Sequence, residues 1–480
     1  MQKGTEKNLC MSAFDTTGLR PYQVPHAIRI AEALNKPGFP CAWDSSETGT
    51  GKTYAACSLV RHYDIPTAVV CPKSLMPSWE RVAAAMGVPE GRLVPLNYDI
   101  IRTGRTHFGE WATLPRGTSR MKYFKWNEKI KLLLFDEFQR CRGHDTLTHK
   151  IAIGAKLSGV PTVGISATPG ESPMDFRALG YLSGWFDYYH FYNWVQSHNC
   201  IKPFGQPKWK FVDKDKRSTV DVMAELHHKM MDRGGRISIA ELGDQFPKNT
   251  IETKLYRIAE AKKVQGYYDQ VAETLSKLTE RMEEDRDPEH GLTATLRERQ
   301  QIELLKVGLM EELIRSEIDQ GRSVVVFCSF LFTIEALSKK LSNYDPAIIT
   351  GDSGWSYDIQ RRPDEGTDAA NQRFQHNRTP LAIAQSDVGG VGLGFHDLYG
   401  RPRTSLINPH WSAMVFNQIL GRIYRDGALS PALQKLLLIE GTVEETVFDA
   451  FLRKEAHLKT LLTNLALKPY AGYAPTKVTL

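Results

Sequence analysis

The 480-residue chain has no apolar run long enough to span a bilayer, and its opening MQKGTEKNLCMSAFDTTG lacks the apolar core of a secretory signal. A soluble, intracellular protein that does not meet membranes is expected. Cysteine is sparse: Cys10, Cys41, Cys57, Cys71, Cys141, Cys200 and Cys328 are scattered, with no CxxC pair. That excludes a zinc ribbon or a disulfide framework and leaves reduced core thiols. No solenoid-period repeat and no low-complexity tract is visible, which argues against stacked repeat arrays. Neither sign of charge dominates: 61 Lys and Arg against 55 Asp and Glu give a net +6. This lean toward an anionic partner is mild, and a solvated surface explains it equally well. The length exceeds what a single hydrophobic core usually organises, so more than one domain is expected.

Short β-rich runs recur early, as PCAWDSS, TAVVCP, RLVPLNY, KLLLFDE and TVGISA, separated by segments of helical composition. A second series follows Gln320: SVVVFCS, PAIITGD, LAIAQSD, TSLINP and KLLLIEG. Strands alternating with helices predict parallel pairing with right-handed crossovers, so the fold class is α/β with the same architecture used twice. Between them the composition changes to an aromatic stretch, LSGWFDYYHFYNWVQ, and then to long charged segments with apolar positions at helical spacing. The expected division is a first lobe at 1–180, linker and helical protrusions at 181–320, and a second lobe at 321–480.

Nucleotide chemistry concentrates in the first block. In SSETGTGKT a strand ends near Asp44, and Lys52-Thr53 open a helix. The backbone N–H groups of Thr48, Gly49, Thr50, Gly51 and Lys52 can point at phosphate oxygens, Lys52 adds a point charge, and Thr53 offers a hydroxyl to Mg²⁺. Ser46 stands where the strict motif has its first glycine, so an ordinary glycine-rich turn is the alternative. KLLLFDE delivers Asp136 and Glu137 at a strand's carboxyl end, the usual ligand edge of a parallel sheet. Asp136 suits a magnesium shell and Glu137 an attacking water. Alone, such a pair is a strand end meeting solvent; joined to the upstream loop it describes an ATP site.

LRPYQ, TGTGKT, PKSLMPSWE, DEFQ, SATP and QILGRIYR, in this order over nearly the whole chain, resemble the motif series of superfamily 2 helicases and translocases. SDVGGVGLGFHDLYG, INPHWSAMVFNQILGRIYRDG and EGTVEETVFDAFLRKE resemble the Swi/Snf-like branch, in the compact form of phage and large-virus members. The resemblance implies two RecA-like lobes and a motor driven by ATP and Mg²⁺. It makes Gln23, beside Arg20, a reader of the adenine edge, for which an amide's joint donor and acceptor are suited. It gives Gln418, Gly421, Arg422 and Arg425 the final motif, whose arginines stabilise charge on the γ-phosphate, and Gly392 a place in the nucleotide site. Pro72, Lys73, Ser74 and Trp79 match a strand-contacting motif, Ser166 and Thr168 a coupling motif, and Ser386 to Gly392 the second-lobe counterpart, all gripping backbone and not reading bases.

Gln139 departs from the family's usual His. It keeps a donor and an acceptor but cannot titrate, so hydrogen-bonded coupling to Ser166, Thr168 or Gln418 stays open. The stretch Trp111–Lys131 interleaves Arg116, Arg120, Lys122 and Lys125 with Tyr123, Phe124 and Trp126, and reads as a solvated loop or as a basic-aromatic nucleic-acid surface. The stripe WFDYYHFYNW is expected to pack at the lobe base, and His227-His228 to be structural. No strand-splitting hairpin is identifiable. The resulting expectation is an ATP hydrolase translocating on double-stranded DNA, monomeric as a motor unit. The alternatives are a strand-separating DNA or RNA helicase and an ATP-gated DNA clamp.

Overall fold

The computed structural model describes residues 13–116, 119–204, 209–214, 217–283, 289–351, 359, 362, 365–386, 393–409, 413–444 and 476–478. The described chain divides into two compact units at Leu242/Gly243.

Unit one is built on a six-stranded sheet. Strands β1 (Cys41–Asp44), β2 (Thr67–Cys71) and β3 (Leu93–Asn97) precede a hairpin of β4 (Gly109–Arg116) and β5 (Ser119–Trp126). Then come β6 (Leu132–Asp136), β7 (Thr162–Ile165), a small ladder of β8 (Cys200–Ile201) and β9 (Lys210–Phe211), and β10 (Gly234–Gly235). The sheet order is β10-β1-β7-β6-β2-β3, all parallel. The run LLLFD of β6 and TAVVC of β2 are buried along their length, as unbroken apolar strings in a sheet covered on both faces must be. Helices α1 (Val24–Leu34), α2 (Lys52–Tyr63), α3 (Met76–Ala85), α4 (Leu147–Leu157) and α5 (Thr219–Asp232) flank it. Local signals set their ends: Pro25 and Pro77 open α1 and α3, Thr146 accepts from the His149 amide to cap α4, and Ser218 with Asp221 forms a capping box at α5.

Unit two carries a seven-stranded sheet in the order β13-β14-β12-β15-β16-β11-β17. Its members are β11 (Asn249–Tyr256), β12 (Ser323–Cys328), β13 (Ala347–Ile349), β14 (Leu381–Gln385), β15 (Arg403–Ile407), β16 (Ala432–Ile439) and β17 (Thr476–Val478), again parallel. Helices α6 (Ala261–Glu283), α7 (Glu289–Leu305), α8 (Val307–Asp319), α9 (Thr367–Gln375) and α10 (Ala413–Leu420) belong to it. The expected double use of a parallel α/β architecture therefore holds.

The stretch 181–320 is not a domain of its own. Gly234-Gly235 adds a strand beside β1, which ties the chain up to Leu242 into unit one, while Asn249–Tyr256 pairs with β16 in unit two. The string GTVE of the Swi/Snf-like signature has a physical role here. Glu444 is fully buried and accepts from Lys306 Nζ at 2.5 Å, the Tyr268 hydroxyl at 2.9 Å and the Ile439 amide at 2.9 Å. It thereby clasps the helices after Ala261 to the end of β16. Trp111–Lys131 contains the β4–β5 hairpin, whose Phe124 and Trp126 are buried in the unit-one core. Gly154 on α4 permits this, because a Cβ there would stand 2.0 Å from the Phe124 carbonyl oxygen. Buried Cys41, Cys57, Cys71, Cys141, Cys200 and Cys328 are free thiols. Among the described residues no helix is long and apolar enough to cross a membrane.

Candidate nucleotide site

At the carboxyl end of β1 the chain turns through Ser45–Gly51 into α2. Gly49 and Gly51 have φ of 91° and 85°, a left-handed backbone that favours glycine. Lys52, first in the helix, donates through Nζ to the carbonyls of Ser46 at 2.9 Å and Glu47 at 3.0 Å. Thr48 and Thr53 are half-buried, and Thr50 is fully buried, its hydroxyl donating to the Glu47 carbonyl at 2.8 Å.

Gln23 and Ser46 explain how the loop is held. The Gln23 amide donates to the Thr50 carbonyl at 2.8 Å and accepts from the Arg20 amide at 2.9 Å, while the Arg20 side chain is exposed. A Cβ on Gly51 would lie 2.1 Å from Gln23 Nε2, so the glutamine packs directly on the turn. The amide expected at an adenine edge is bonded inward, as a clamp on the loop. Ser46, where the strict motif has glycine, is fully buried and accepts from the Ile237 amide at 2.9 Å. Its hydroxyl also meets His26 Nε2 at 3.3 Å, and that nitrogen lies 3.1 Å from Asp44 Oδ1. Burial would push the Asp44 carboxyl up, but the His26 partner, the Lys52 charge and the Ser46 hydrogen bond outweigh it and hold the group at about 2. Sequence reading missed His26, although its position three residues after Gln23 on one helix face was a usable signal.

Asp136 and Glu137 end β6 as expected. Asp136 accepts from Trp79 Nε1 at 2.8 Å and from the Glu137 amide at 2.9 Å, and Tyr98 donates its hydroxyl to the Asp136 carbonyl at 2.9 Å. Burial, and then the neighbouring Glu137 charge, push the Asp136 carboxyl up to about 6, with Trp79 and Lys52 opposing. A buried carboxylate with the Glu137 charge beside it and within the field of Lys52 fits a hard divalent cation held partly by phosphates.

Glu137 has φ 54° and ψ 51°, a left-handed conformation unusual for a side-chain-bearing residue. Its carboxylate accepts from the Gln139 amide, and Gln139 Oε1 accepts from Ser166 Oγ at 2.6 Å. Ser166 Oγ in turn accepts from the Thr168 amide at 3.1 Å. A hydrogen-bonded relay thus joins the end of β6 to the segment after β7. Beside it the Thr168 hydroxyl is buried with no hydrogen-bond partner among the described residues.

Several residues expected to touch nucleic acid are placed otherwise. Trp79 is 1 % exposed: the apolar face of α3 turns it onto the sheet, where its indole serves Asp136 and cannot meet a strand. Pro72 is buried too, and Ser166 and Thr168 lie inside the relay. Lys73 is exposed and Ser74 half-buried.

In unit two, Gln418 is buried on α10, which stops at Leu420. Arg422 and Arg425 therefore follow the helix and do not ride on it. Arg422 is 2 % exposed and donates to the Leu393 carbonyl at 3.2 Å. The half-buried Arg425 donates to the same oxygen at 3.0 Å and to the Gly421 carbonyl at 3.2 Å. Burial, aided by the Arg425 and Arg403 charges, pushes nearby His396 down to about 3. Ser386 is buried at the end of β14, and Gly392 lies outside the described residues.

No protein-family model matches the chain. A protein of Acanthamoeba polyphaga mimivirus, provisionally named an ATP-dependent RNA helicase, is 27% identical over 464 residues, 92% of this chain and 83% of that one. An SNF2 domain-containing protein of rice is 26% identical over 162 residues, and a RAD54-like DNA repair and recombination protein of Danio rerio 32% identical over 92. This chain spans only 15% and 12% of those two proteins. Among solved structures, S. cerevisiae Dbp5 bound to RNA and ADP BeF3 aligns with 97% of this chain and 95% of its own, at 13% identity and a TM-score of 0.49. In its ordered motifs and in its similarity to the mimivirus protein the chain resembles superfamily 2 helicases and translocases, and its partial sequence matches lie with Swi/Snf-like proteins.

Proposed function

We propose that the chain is an ATP-driven motor that translocates on double-stranded DNA. The observation that carries the hydrolytic part is the relay: Glu137, held by a left-handed backbone, is wired through Gln139 to Ser166 and the Thr168 amide. A base so connected can be repositioned by events elsewhere in the protein, which is what coupling hydrolysis to a track requires.

In this reading Lys52 exchanges the Ser46 and Glu47 carbonyls for phosphate oxygens, and the amides from Thr48 to Lys52 line the phosphate chain. Asp136 and Thr53 would hold Mg²⁺, which when bound neutralises charge on the phosphates. Glu137 orients the attacking water. Arg425 stabilises charge that develops in the transition state, an effect on the order of 10³–10⁵ in rate where such arginines have been measured, while Arg422, buried against the same carbonyl, positions it. Lys73 and Ser74 remain the surface candidates for backbone contact. The Swi/Snf-like partial relatives favour duplex DNA. The name of the mimivirus relative supports a second reading, a helicase acting on RNA.

ATPase rates with duplex DNA, single-stranded DNA and RNA, beside Glu137→Gln, test the proposal. Duplex DNA is expected to stimulate most, and the variant to retain nucleotide but lose turnover. Greater stimulation by RNA selects the second reading, and equal rates with and without polynucleotide remove the motor.

A further inference from the structure

Two sequence features that the nucleotide chemistry leaves unused meet on one side of unit one. The first is the β4–β5 hairpin; between Arg105 and Lys131 the chain has seven Lys or Arg against two Glu. The second is the arm around β8 and β9, whose described residues include Lys202, Lys210, Lys214 and Arg217 against Asp213. The aromatic stripe joins them. Its Tyr189 donates a hydroxyl to Met121 Sδ on β5 at 3.8 Å, and its Tyr192 ring stacks on Trp209, just before β9, at 5.5 Å and 14°.

The stripe is two-sided, not simply packed inward. Tyr188, Phe191 and Trp194 are buried, whereas Tyr189 and Tyr192 are 44 % and 41 % exposed. The Arg177 guanidinium, 4.7 Å from the Tyr188 ring and 5.8 Å from that of Tyr192, holds the outer Tyr192 ring to the inner Tyr188. Phe204, in the arm between β8 and β9, is wholly exposed. Lys125, on the Met121 side of β5 and across the ladder from Glu110, and Lys202 and Lys210 of the arm are exposed, and none is in an ion pair with a described Asp or Glu. Lys122 points to the opposite side of β5 and lies 4.7 Å over the Trp111 ring.

We propose that this face binds single-stranded nucleic acid, unpaired bases stacking on Tyr189, Tyr192 and Phe204 while phosphates meet Lys125, Lys202 and Lys210. The inference rests on the reading of the chain as a nucleic-acid motor and adds a second contact surface, away from the nucleotide loop in sequence and built on hairpins outside the parallel sheet. Rings and cations together suit unpaired strands, because a closed duplex covers the base faces and offers the rings nothing to stack on. A duplex would use the cations alone.

The test is fluorescence anisotropy with a labelled oligothymidylate of about 20 nucleotides, longer than one such site needs, and with its duplex, each across a salt series. Two variants are compared with the unaltered chain, Tyr189→Ala/Phe204→Ala and Lys125→Glu/Lys202→Glu, with thermal melts as the folding control. The aromatic variant is expected to weaken single-strand binding about tenfold and to leave duplex binding within about twofold. The charge variant should weaken both and flatten the salt dependence. Photocrosslinking of 5-iodouracil DNA, mapped by mass spectrometry, should mark peptides holding Tyr189, Tyr192 or Phe204 without any substitution. Loss of duplex and single-strand binding by the charge variant alone, with no aromatic crosslink, overturns the stacking proposal. If both variants bind as the unaltered chain does, the face is not a nucleic-acid surface and the motor reading stands. If the unaltered chain binds neither probe, the motor reading itself fails.

Discussion

Removing Glu444 should unfasten unit two. Its carboxylate accepts from Lys306, Tyr268 and the Ile439 amide, and Lys306, 2 % exposed, also reaches the Leu437 carbonyl at 3.3 Å. Glu444→Ala strands a buried ammonium and deprives two further donors of their acceptor, so a loss of about 3–5 kcal/mol is expected. Glu444→Gln keeps an acceptor oxygen but not the charge, and should cost about 2–3 kcal/mol. Lys306→Met combined with Glu444→Gln removes both charges and should return to within about 1–2 kcal/mol of the unaltered chain, since replacing a whole buried pair is far milder than breaking one. A chain of two units need not unfold in one step, so the readout should be local: hydrogen exchange of the β16 amides, Ala432–Ile439. Unchanged β16 protection in Glu444→Ala, or a double variant whose loss is the plain sum of its singles, would refute the reasoning.

Other outcomes follow from unit one. Without metal the Asp136 carboxyl sits at about 6, so protons compete with Mg²⁺ below that pH, and ATPase at subsaturating Mg²⁺ should fall as pH drops through about 6 and recover when Mg²⁺ is raised. The same raised value means that folding disfavours the ion. The penalty is absent below the unfolded value of 3.8, grows as pH rises and is complete above about 6. Asp136→Asn should therefore abolish hydrolysis yet raise Tm at neutral pH, by up to about 3 kcal/mol in stability, with the gain vanishing near pH 4 in calorimetric scans. Gly51→Ala forces a side chain onto φ 85° and into Gln23 Nε2, and should weaken binding of a fluorescent ATP analogue at least about tenfold, for roughly 1–2 kcal/mol of local strain. Gln139→Ala cuts the bridge from Glu137 to Ser166, and should lower nucleic-acid-stimulated ATPase about tenfold while the basal rate changes less; a larger loss in the basal rate would mean that Gln139 serves hydrolysis and not coupling.

Five strands of each sheet were legible because a parallel strand covered on both faces must be an apolar string, and LLLFD, TAVVC and SVVVFC can be little else, whereas β10, β11 and β17 were not read. Lys52, Asp136 and Glu137 were legible because their placement is local: each stands at the carboxyl end of a strand or the first turn of the helix after it. Contacts between distant segments were not. Trp79 reads as surface from its motif, and only the packing of α3 reveals its indole on Asp136. Ser46 looked like a defect in the loop until β10 brought the Ile237 amide to it. The β4–β5 hairpin was hidden because its two faces alternate lysines with aromatics that are half core and half surface, so no clean two-residue period survives. The boundary near Leu242 was missed because Gly234-Gly235, two glycines with no side chains to show a pattern, make a strand.

The ammonium of Lys52, resting on two main-chain oxygens of its own loop, bears on how an incoming triphosphate is received. Arrival is a substitution of one pair of oxygen acceptors for another, with little net change in the count of hydrogen bonds around the nitrogen. The heat released at that contact should accordingly be small, and calorimetry of Lys52→Ala should differ from the unaltered chain mainly in affinity. A latch already closed on itself also keeps the glycine turn in shape, so under the proposed function this segment would not have to reorder for each new fuel molecule.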